Sequence, residues 1–219
     1  MSLPLPRPGR CIVFLIRHGA TDNNRANPPR LQGRGVDLSL SAAGEWQAAQ
    51  TAEVLAACPL AAVYASPLKR ATETAQRIAA RHQLTVGTVP DLMEVDVGEW
   101  EGRSWVDIER TEPEAYLRFM TEPDRHGYVG GENLTQVRDR VAPALTELAR
   151  RHLGEAIAVV GHNVVNRAFL ADVLGMPLRR ARSLSQENAG INILRYGNDW
   201  KLVTLNSLFH LLHEPAEIG

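Results

Sequence analysis

Short apolar runs alternate along the chain with longer stretches in which apolar residues recur every three or four positions. The apolar runs have the length of buried strands, and they cover residues 11–16, 61–65, 84–89 and 156–160. The periodic stretches predict amphipathic helices over residues 42–56, 68–81, 134–148 and 164–174. Two further strands, 192–196 and 201–205, are expected to pair around the Gly197-Asn198 turn.

Strands that alternate with helices are typical of a mostly parallel sheet that is covered by helices on both faces. The chain of 219 residues is 44% hydrophobic, which is enough for one sizeable core. We therefore expect one domain over 1–219, built as a three-layer α/β/α sandwich around a mostly parallel central sheet.

Local signals predict where several elements begin or break. Ser66 is expected to cap a helix whose first position is Pro67. Pro113 is expected to divide the stretch 104–120 into two short helices. The polar stretch 23–41 shows no periodicity and predicts a loop, of a length that is often functional.

Two of the predicted strands lead directly to a histidine. His18 lies two residues beyond the run 11–16, and His162 lies two residues beyond the run 156–160. The carboxyl ends of parallel strands meet at one edge of a sheet, and ligands bind at that edge in open α/β folds. Both histidines are therefore expected to share one pocket.

Arg17 and Arg70 are expected to place two permanent cations beside these histidines. Guanidinium groups bind phosphate bidentately and stay charged at ordinary pH. Their positive field also lowers the pKa of an imidazole, which leaves His18 neutral and nucleophilic. These residues predict phosphoryl transfer to Nε2 or Nδ1 of His18, with the arginines and a charged His162 stabilising the transferred group.

The leaving oxygen of such a reaction needs a proton donor, and several carboxylates follow the third predicted strand. Glu94 is one candidate. The residues that compete with it are Asp91, Asp96, Glu99 and Glu101. Spacing alone does not choose among these five.

The overall charge argues against a broad surface for polyanions. Lys and Arg number 24 against 25 Asp and Glu, so the net charge is -1 and any anion site must be local. We expect a small-molecule partner, with no nucleic acid and no membrane. Two cysteines in apolar surroundings, Cys11 and Cys58, fit a reducing cytoplasm, and residues 1–10 lack the apolar core of a signal peptide or an anchor.

Three other interpretations stay open at this point. Cys11 and Arg17 have the spacing of a cysteine phosphatase motif, but the apolar residues between them predict a strand and not an anion-binding loop. His18, His162 and Glu94, with a nearby Asp, are of types that bind zinc or iron, although neighbouring fixed cations repel a metal ion. The third interpretation is a non-catalytic module that binds a phosphorylated ligand.

Taken together, the motifs closely resemble those of the histidine phosphatase superfamily, the phosphoglycerate-mutase-like proteins. The resemblance runs from Phe14 to about Asn206. The matching segments are Arg17-His18-Gly19-x-Thr21-x-x-Asn24, Leu31-Gln32-Gly33, Ser66-x-x-x-Arg70-Ala71, Leu92-x-Glu94, Gly130-Gly131-Glu132-Asn133-Leu134 and Val160-Gly161-His162-x-x-x-x-Arg167.

The resemblance implies that His18 becomes phosphorylated and that Glu94 is the general acid. The other catalytic residues that it implies are Arg17, Arg70 and His162. The substrate-binding residues that it implies are Asn24, Gln32, Gly33 and Asn163.

Two residues depart from the family pattern. Ala20 replaces the acid that usually follows the nucleophile's glycine, and Asn163 replaces a glycine after the second histidine. We expect Asn163 to cap the helix that starts at Val164, with narrowing of the pocket as the alternative.

The segment between Glu94 and His162 lacks the cationic insertion of the family's mutases. The resemblance therefore implies a metal-independent phosphomonoesterase that needs no cofactor and hydrolyses a small phosphorylated metabolite through phospho-His18. Mutase-type phosphoryl transfer is the alternative. Phosphoserine, sugar phosphates and phosphoglycerate derivatives are the substrates that the resemblance suggests, and a homodimer stays open.

Overall fold

The computed structural model describes residues 6–212. Its strands are β1 (Cys11–Arg17), β2 (Leu60–Ala65), β3 (Val86–Thr88), β4 (Ala156–Gly161), β5 (Ile191–Tyr196) and β6 (Trp200–Ser207). Its α-helices are α1 (Asp22–Arg25), α2 (Ala42–Leu55), α3 (Lys69–Arg81), α4 (Trp105–Thr111), α5 (Pro113–Thr121), α6 (Leu134–Arg151) and α7 (Asn163–Val173). Short 3-10 turns cover Pro90–Leu92, Gly98–Trp100, Leu178–Ser183 and Phe209–Leu211.

The six strands form one sheet in the order β3-β2-β4-β1-β5-β6. Strands β3, β2, β4 and β1 run parallel to one another, whereas β5 is antiparallel to β1 and β6 is antiparallel to β5. The mostly parallel sheet and the closing strand pair that the sequence predicts are therefore confirmed.

Residues of β1 alternate between the two faces of the sheet, as side chains of a strand must. Val13 and Leu15 join a core that α6 and α7 complete, while Phe14 and Ile16 join a second core with α2 and α3. Because helices pack on both faces, the three-layer α/β/α architecture is confirmed.

Helix α3 begins later than its sequence predicts. The structure places Leu68 at the N-cap, with an extended backbone (φ -68°, ψ 138°), so Ser66 is not the cap and Pro67 lies outside the helix. The backbone N–H of Lys69 donates instead to Asp37 Oδ1 at 2.7 Å. A carboxylate from a distant loop thus takes the role that was assigned to Ser66.

Other local predictions differ in outcome. The predicted break at Pro113 is confirmed, because α4 ends at Thr111 and α5 begins at Pro113. The predicted loop 23–41 is interrupted at its start by the single turn of α1. Within residues 6–212, no helix has both the length and the apolar character needed to span a membrane.

Candidate active site

The carboxyl ends of β1 and β4 bring His18 and His162 together. The two rings are buried, and their centroids lie 5.1 Å apart with an angle of 58° between the ring planes. The backbone N–H of His18 donates to Gly161 O at 3.1 Å, which ties the end of one strand to the end of the other. The parallel register therefore produces the shared pocket that the sequence predicts.

The surroundings of His18 define its tautomer. Its Nδ1 lies 2.7 Å from the carbonyl oxygen of Gly19, which can only accept, so Nδ1 carries the proton and Nε2 keeps its lone pair. Burial lowers the pKa of His18 well below its ordinary value, and the charges of Arg70 and Arg17 lower that pKa further. At neutral pH the ring is uncharged and nucleophilic at Nε2.

The loop after His18 is fixed by close backbone contacts. The Gly19 N–H donates to Thr74 Oγ1 at 3.0 Å, and the Ser41 N–H donates to Ala20 O at 2.9 Å. Gly44 in α2 presses its backbone against that of Ala20, where a Cβ atom would collide with the Ala20 carbonyl group. This close approach requires a glycine and holds the nucleophile's loop against α2.

Two arginines, the fully buried Arg70 and the partly buried Arg17, supply positive charge to the site. Arg17 donates through Nη1 to Gln186 O at 2.7 Å, whereas Arg70 donates to Val36 O at 2.9 Å and to Gly33 O at 3.0 Å. Neither forms a salt bridge with a carboxylate of residues 6–212, and the Nε atom of each lacks a hydrogen-bond partner there. Burial lowers the pKa of Arg17 to about 10, so the group stays charged at neutral pH.

The charge state of His162 differs from the one that the sequence predicts. Burial, together with the charges of Arg70 and His18, lowers the pKa of His162 well below its ordinary value. Neither ring nitrogen has a hydrogen-bond partner among residues 6–212. The ring is therefore neutral before a ligand binds, in contrast to the charged form that the sequence predicts.

The carboxylate of Glu94 lies at the N-terminus of α7. Its Oε1 accepts from the N–H of Val95 at 2.9 Å and from the N–H of Val165 at 3.4 Å, and its Oε2 accepts from the N–H of Val164 at 3.3 Å. The prediction that Asn163 caps this helix is wrong, because Asn163 is already the first residue of the helix. The N-cap residue is the extended His162, and Glu94 satisfies the N–H groups that a capping side chain would have bound.

Geometry also separates Glu94 from the carboxylates that compete with it. Asp96 pairs with Arg34 at 2.6 Å, and Glu101 accepts the N–H groups of Gly33 and Gly35 at 2.6 and 3.0 Å. Asp91 and Glu99 are exposed. Among the five candidates, Glu94 alone lines the cavity with His18.

A cavity of about 180 Å³ opens beside His18. The predicted site residues that line it are Arg17, His18, Asn24, Gln32, Glu94 and Asn163. Arg70, His162 and Gly33 are outside the lining, and the backbone of Gly33 already binds Glu101 and Arg70. The structure thus places six of the nine predicted residues on the cavity wall, while Arg70 and His162 act on His18 through their proximity.

Two amide residues that the sequence did not single out hold the site in place. Asn188 donates through Nδ2 to His18 O at 3.0 Å and to Asn24 Oδ1 at 3.3 Å. Gln186 binds Arg17 through its carbonyl oxygen and exchanges side-chain hydrogen bonds with the buried Asn192. The sequence shows only a polar segment before β5. That segment can be assigned to the site only once β5 is known to pair with β1.

The alternative chemistries find little support in the geometry. Cys11 is fully buried at the start of β1, the opposite end from Arg17, and burial raises the pKa of its thiol to about 12. That thiol cannot serve as an anionic nucleophile at neutral pH. Among residues 6–212, no group of three or more His, Cys, Asp or Glu side chains could hold a metal ion.

A doubly covered parallel sheet with a neutral nucleophilic histidine and buried arginines at its carboxyl edge defines an enzyme of phosphoryl transfer. The chain belongs to the histidine phosphatase superfamily (branch 1), whose profile matches residues 13–208. Membership of this superfamily, together with relatives that are named phosphatases, indicates a phosphoric monoester hydrolase.

The relatives that this chain resembles include proteins named as phosphatases and proteins named as mutase-like. The chain is 36% identical over 205 residues to a metal-independent phosphoserine phosphatase of Arabidopsis thaliana, with 91% of this chain and 82% of the relative covered. It is 35% identical over 211 residues to phosphoglycerate mutase-like protein 4 of the same plant, with 91% and 86% covered. The phosphoserine phosphatase of Entamoeba histolytica, solved with 3-phosphoglyceric acid, is 26% identical and superimposes with a TM-score of 0.83 over 92% of this chain and 100% of that one.

Proposed function

We propose that this protein is a metal-independent phosphomonoesterase that works through a phosphohistidine on Nε2 of His18. One observation supports this most directly. The hydrogen bond from His18 Nδ1 to Gly19 O leaves the Nε2 lone pair free in a ring kept neutral by burial, Arg17 and Arg70.

In the first step, the Nε2 lone pair forms a bond to phosphorus while the bond from phosphorus to the ester oxygen breaks. The electron pair goes to the leaving oxygen, and a protonated Glu94 supplies its proton. The equatorial oxygens of the transferred group gain charge, which Arg17, Arg70 and the single N–H of the neutral His162 ring stabilise.

In the second step, water attacks the phosphorus of phospho-His18. The Glu94 carboxylate takes one proton from the water, the bond between Nε2 and phosphorus breaks, and its electron pair returns to Nε2. Inorganic phosphate leaves, and the enzyme regains its starting state. Neither step draws on a metal ion, and hydrogen bonds from three backbone N–H groups orient Glu94 for both steps.

Residue roles around the phosphoryl group follow from position. Asn24 and Gln32 line the cavity beside His18, and the Gln32 Nε2 group has no partner among the residues that the structure describes. Both amides are proposed to bind the phosphoryl oxygens. Asn163 lines the cavity with an unpartnered Oδ1 atom, so it is proposed to contact the substrate. Gly33 binds Arg70 through its carbonyl oxygen and is proposed to position that arginine.

A cellular compartment and a class of substrate are proposed together with this function. Cys11 and Cys58 are free, which supports a reducing compartment such as the cytoplasm. The cavity of about 180 Å³ suits a small phosphorylated metabolite, and related proteins named for phosphoserine support a phosphorylated amino acid or hydroxy acid.

The test is steady-state hydrolysis of a panel of phosphomonoesters by wild type and by His18→Ala, with excess EDTA and with vanadate. We expect turnover that survives EDTA, falls with vanadate and disappears in His18→Ala. Formation of 2-phosphoglycerate from 3-phosphoglycerate, faster than release of phosphate, would favour mutase-type transfer. No turnover of any ester by wild type would favour a non-catalytic module.

A further inference from the structure

The cavity that holds His18 and Glu94 has a second group of lining residues that the proposed mechanism leaves unused. Three aromatic rings belong to it, those of Trp105, Phe119 and Tyr128, and two arginines, Arg167 and Arg182. The Trp105 and Phe119 rings are stacked with centroids 5.5 Å apart, and the Phe119 and Tyr128 centroids lie 4.4 Å apart. This cluster forms an apolar wall on one part of the cavity.

Arg182 lies against that wall. Its guanidinium carbon is 5.0 Å from the centroid of Trp105 and 5.2 Å from that of Phe119. Its Nη1 atom contacts the sulfur of Met120, which is a weak acceptor. The two rings cover part of the guanidinium group, and no strong hydrogen-bond acceptor among residues 6–212 binds it.

Arg167 is the second cation of this group, and it too lacks an ionic partner. It donates through Nε to Leu184 O at 2.8 Å. No carboxylate in residues 6–212 forms a salt bridge with Arg167 or Arg182. Glu94 and Glu187 attract Arg167 only over a longer distance.

The two guanidinium groups act on each other. Burial lowers the pKa of Arg167, and the charge of Arg182 is the next cause of that lowering. Two like charges on an apolar wall repel each other strongly, because burial weakens the screening by water. An anion bound between them would offset this repulsion. The cavity is lined by four arginines, Arg17, Arg30, Arg167 and Arg182, and by a single carboxylate, Glu94. Its charge exceeds what one phosphoryl group at Arg17 requires.

We propose that Arg167 and Arg182 form a second anion subsite that binds a carboxylate of the substrate while its phosphoryl group lies at His18. The inference rests on the proposed function and narrows it to phosphate esters that carry a carboxylate. A carboxylate matches the fork of a guanidinium group, and a cavity of about 180 Å³ suits a small acid of this type.

Matched pairs of esters test the subsite. Phosphoserine and phosphoethanolamine differ only in that phosphoserine carries a carboxylate. In the second pair, 3-phosphoglycerate carries a carboxylate where glycerol 3-phosphate carries a hydroxymethyl group. For Arg182→Gln we expect kcat/KM to fall about 10- to 100-fold for the carboxylate esters, mainly through KM, and to change little for their partners. Arg182→Lys should restore part of the loss, because it restores the charge without the fork.

Arg179→Gln is the matched control. Arg179 lies in the same 3-10 turn, is exposed and does not line the cavity. We expect wild-type constants for it with all four esters. An equal loss with both members of a pair in Arg182→Gln, or no loss with either, would overturn the subsite. A wild type that prefers a bisphosphate over the carboxylate esters would overturn the carboxylate assignment.

Binding measurements distinguish a failure of the proposed subsite from a failure of the proposed mechanism. Isothermal titration calorimetry with His18→Ala measures the affinities for phosphoserine and phosphoethanolamine without turnover. We expect phosphoserine to bind more tightly, and the added change Arg182→Gln to remove that preference. If the preference is found but wild type hydrolyses no ester, the subsite stands and the proposed function fails. If hydrolysis is found without a preference, the subsite fails alone.

Discussion

His18 and Glu94 line the same cavity but are held by opposite kinds of partner. A backbone carbonyl oxygen accepts from the His18 ring, whereas backbone N–H groups donate to the Glu94 carboxylate. The first arrangement exposes a lone pair on Nε2, and the second fixes a group that can give and take a proton. The roles of nucleophile and general acid therefore follow from the backbone around each residue.

Glu94→Gln tests the role of the acid. An amide keeps the shape of the side chain but cannot donate a proton to an alkoxide, so we expect kcat/KM, which reports phosphorylation of His18, to fall about 10²- to 10⁴-fold for an alkyl phosphate. The loss should be much smaller for 4-nitrophenyl phosphate, whose leaving group needs no protonation. Steady-state kinetics with both esters measures the difference.

Glu99→Gln is the control for this change, because Glu99 is exposed and lies outside the cavity. It should retain wild-type activity with both esters. Equal losses in kcat/KM with the two leaving groups in Glu94→Gln would show that Glu94 supports the site without protonating the leaving oxygen.

The two buried histidines also predict how stability depends on pH. The pKa of each is lowered on folding, so between the folded and unfolded pKa values the unfolded chain binds more protons than the folded one. The free energy of unfolding should therefore fall as pH drops below about 6.5, by up to about 1.4 kcal/mol per pH unit for each histidine.

Urea unfolding between pH 8 and pH 5 measures this slope. His162→Asn should reduce it, because one buried titrating ring is removed. A slope in wild type that is flat over this range, or one that His162→Asn leaves unchanged, would contradict the account of neutral buried rings.

At the scale of elements, the helix starts next to the site depend on distant side chains. Asn163 was expected to cap α7, but Glu94 binds the first N–H groups of that helix. Ser66 was expected to cap α3, but Asp37 binds the Lys69 N–H. Capping preferences read along the chain describe local partners only, and here a carboxylate from another segment overrides them.

The strands were easier to predict than these caps. The apolar run before His18 and the run before His162 are buried on both faces, so their hydrophobic content alone identifies them. Their parallel pairing then places both histidines at one edge. Asn188 was missed because its role depends on β5 pairing antiparallel with β1, with Ile191 opposite Ile16, which no local pattern shows.

Gly44→Ala tests the contact between α2 and the nucleophile's loop. A Cβ atom at Gly44 would collide with the Ala20 carbonyl group, so the helix and the loop must separate. We expect the free energy of unfolding to fall by about 1–3 kcal/mol and kcat to fall with it, because the loop positions His18. Thermal unfolding and steady-state kinetics measure the two effects.

Gly197→Ala is the matched glycine control, because a Cβ atom there would meet its nearest neighbour at an ordinary 3.6 Å. It should change stability and activity much less. If Gly44→Ala is as stable and as active as Gly197→Ala, the loop does not depend on this contact.

At the scale of the whole molecule, the two cores share their central strands. Ile157 and Val159 of β4 face the core of α6 and α7, while Ala158 and Val160 face the core of α2 and α3. Neither core can lose its packing without exposing the same strands. We therefore propose that residues 1–219 form one cooperative domain, as the sequence predicts.

One unfolding transition is the expected result for such a domain. Trp100 lies in the core of α6 and α7, Trp105 and Trp200 pack against that core, and Trp46 alone lies in α2. Tryptophan fluorescence therefore follows mainly the face of α6 and α7, whereas far-ultraviolet circular dichroism follows the helices on both faces. The two signals should give the same midpoint in urea. Two separate midpoints would divide the molecule into independent units.

The central claim is that His18 carries the phosphoryl group during turnover, and rapid acid-free quenching with a ³²P-labelled phosphate ester tests it most directly. We predict label on the peptide that contains His18, stable in alkali and lost in acid as phosphohistidine is, and no label in His18→Ala. Turnover by wild type without label on that peptide, or label that persists in His18→Ala, would contradict the account.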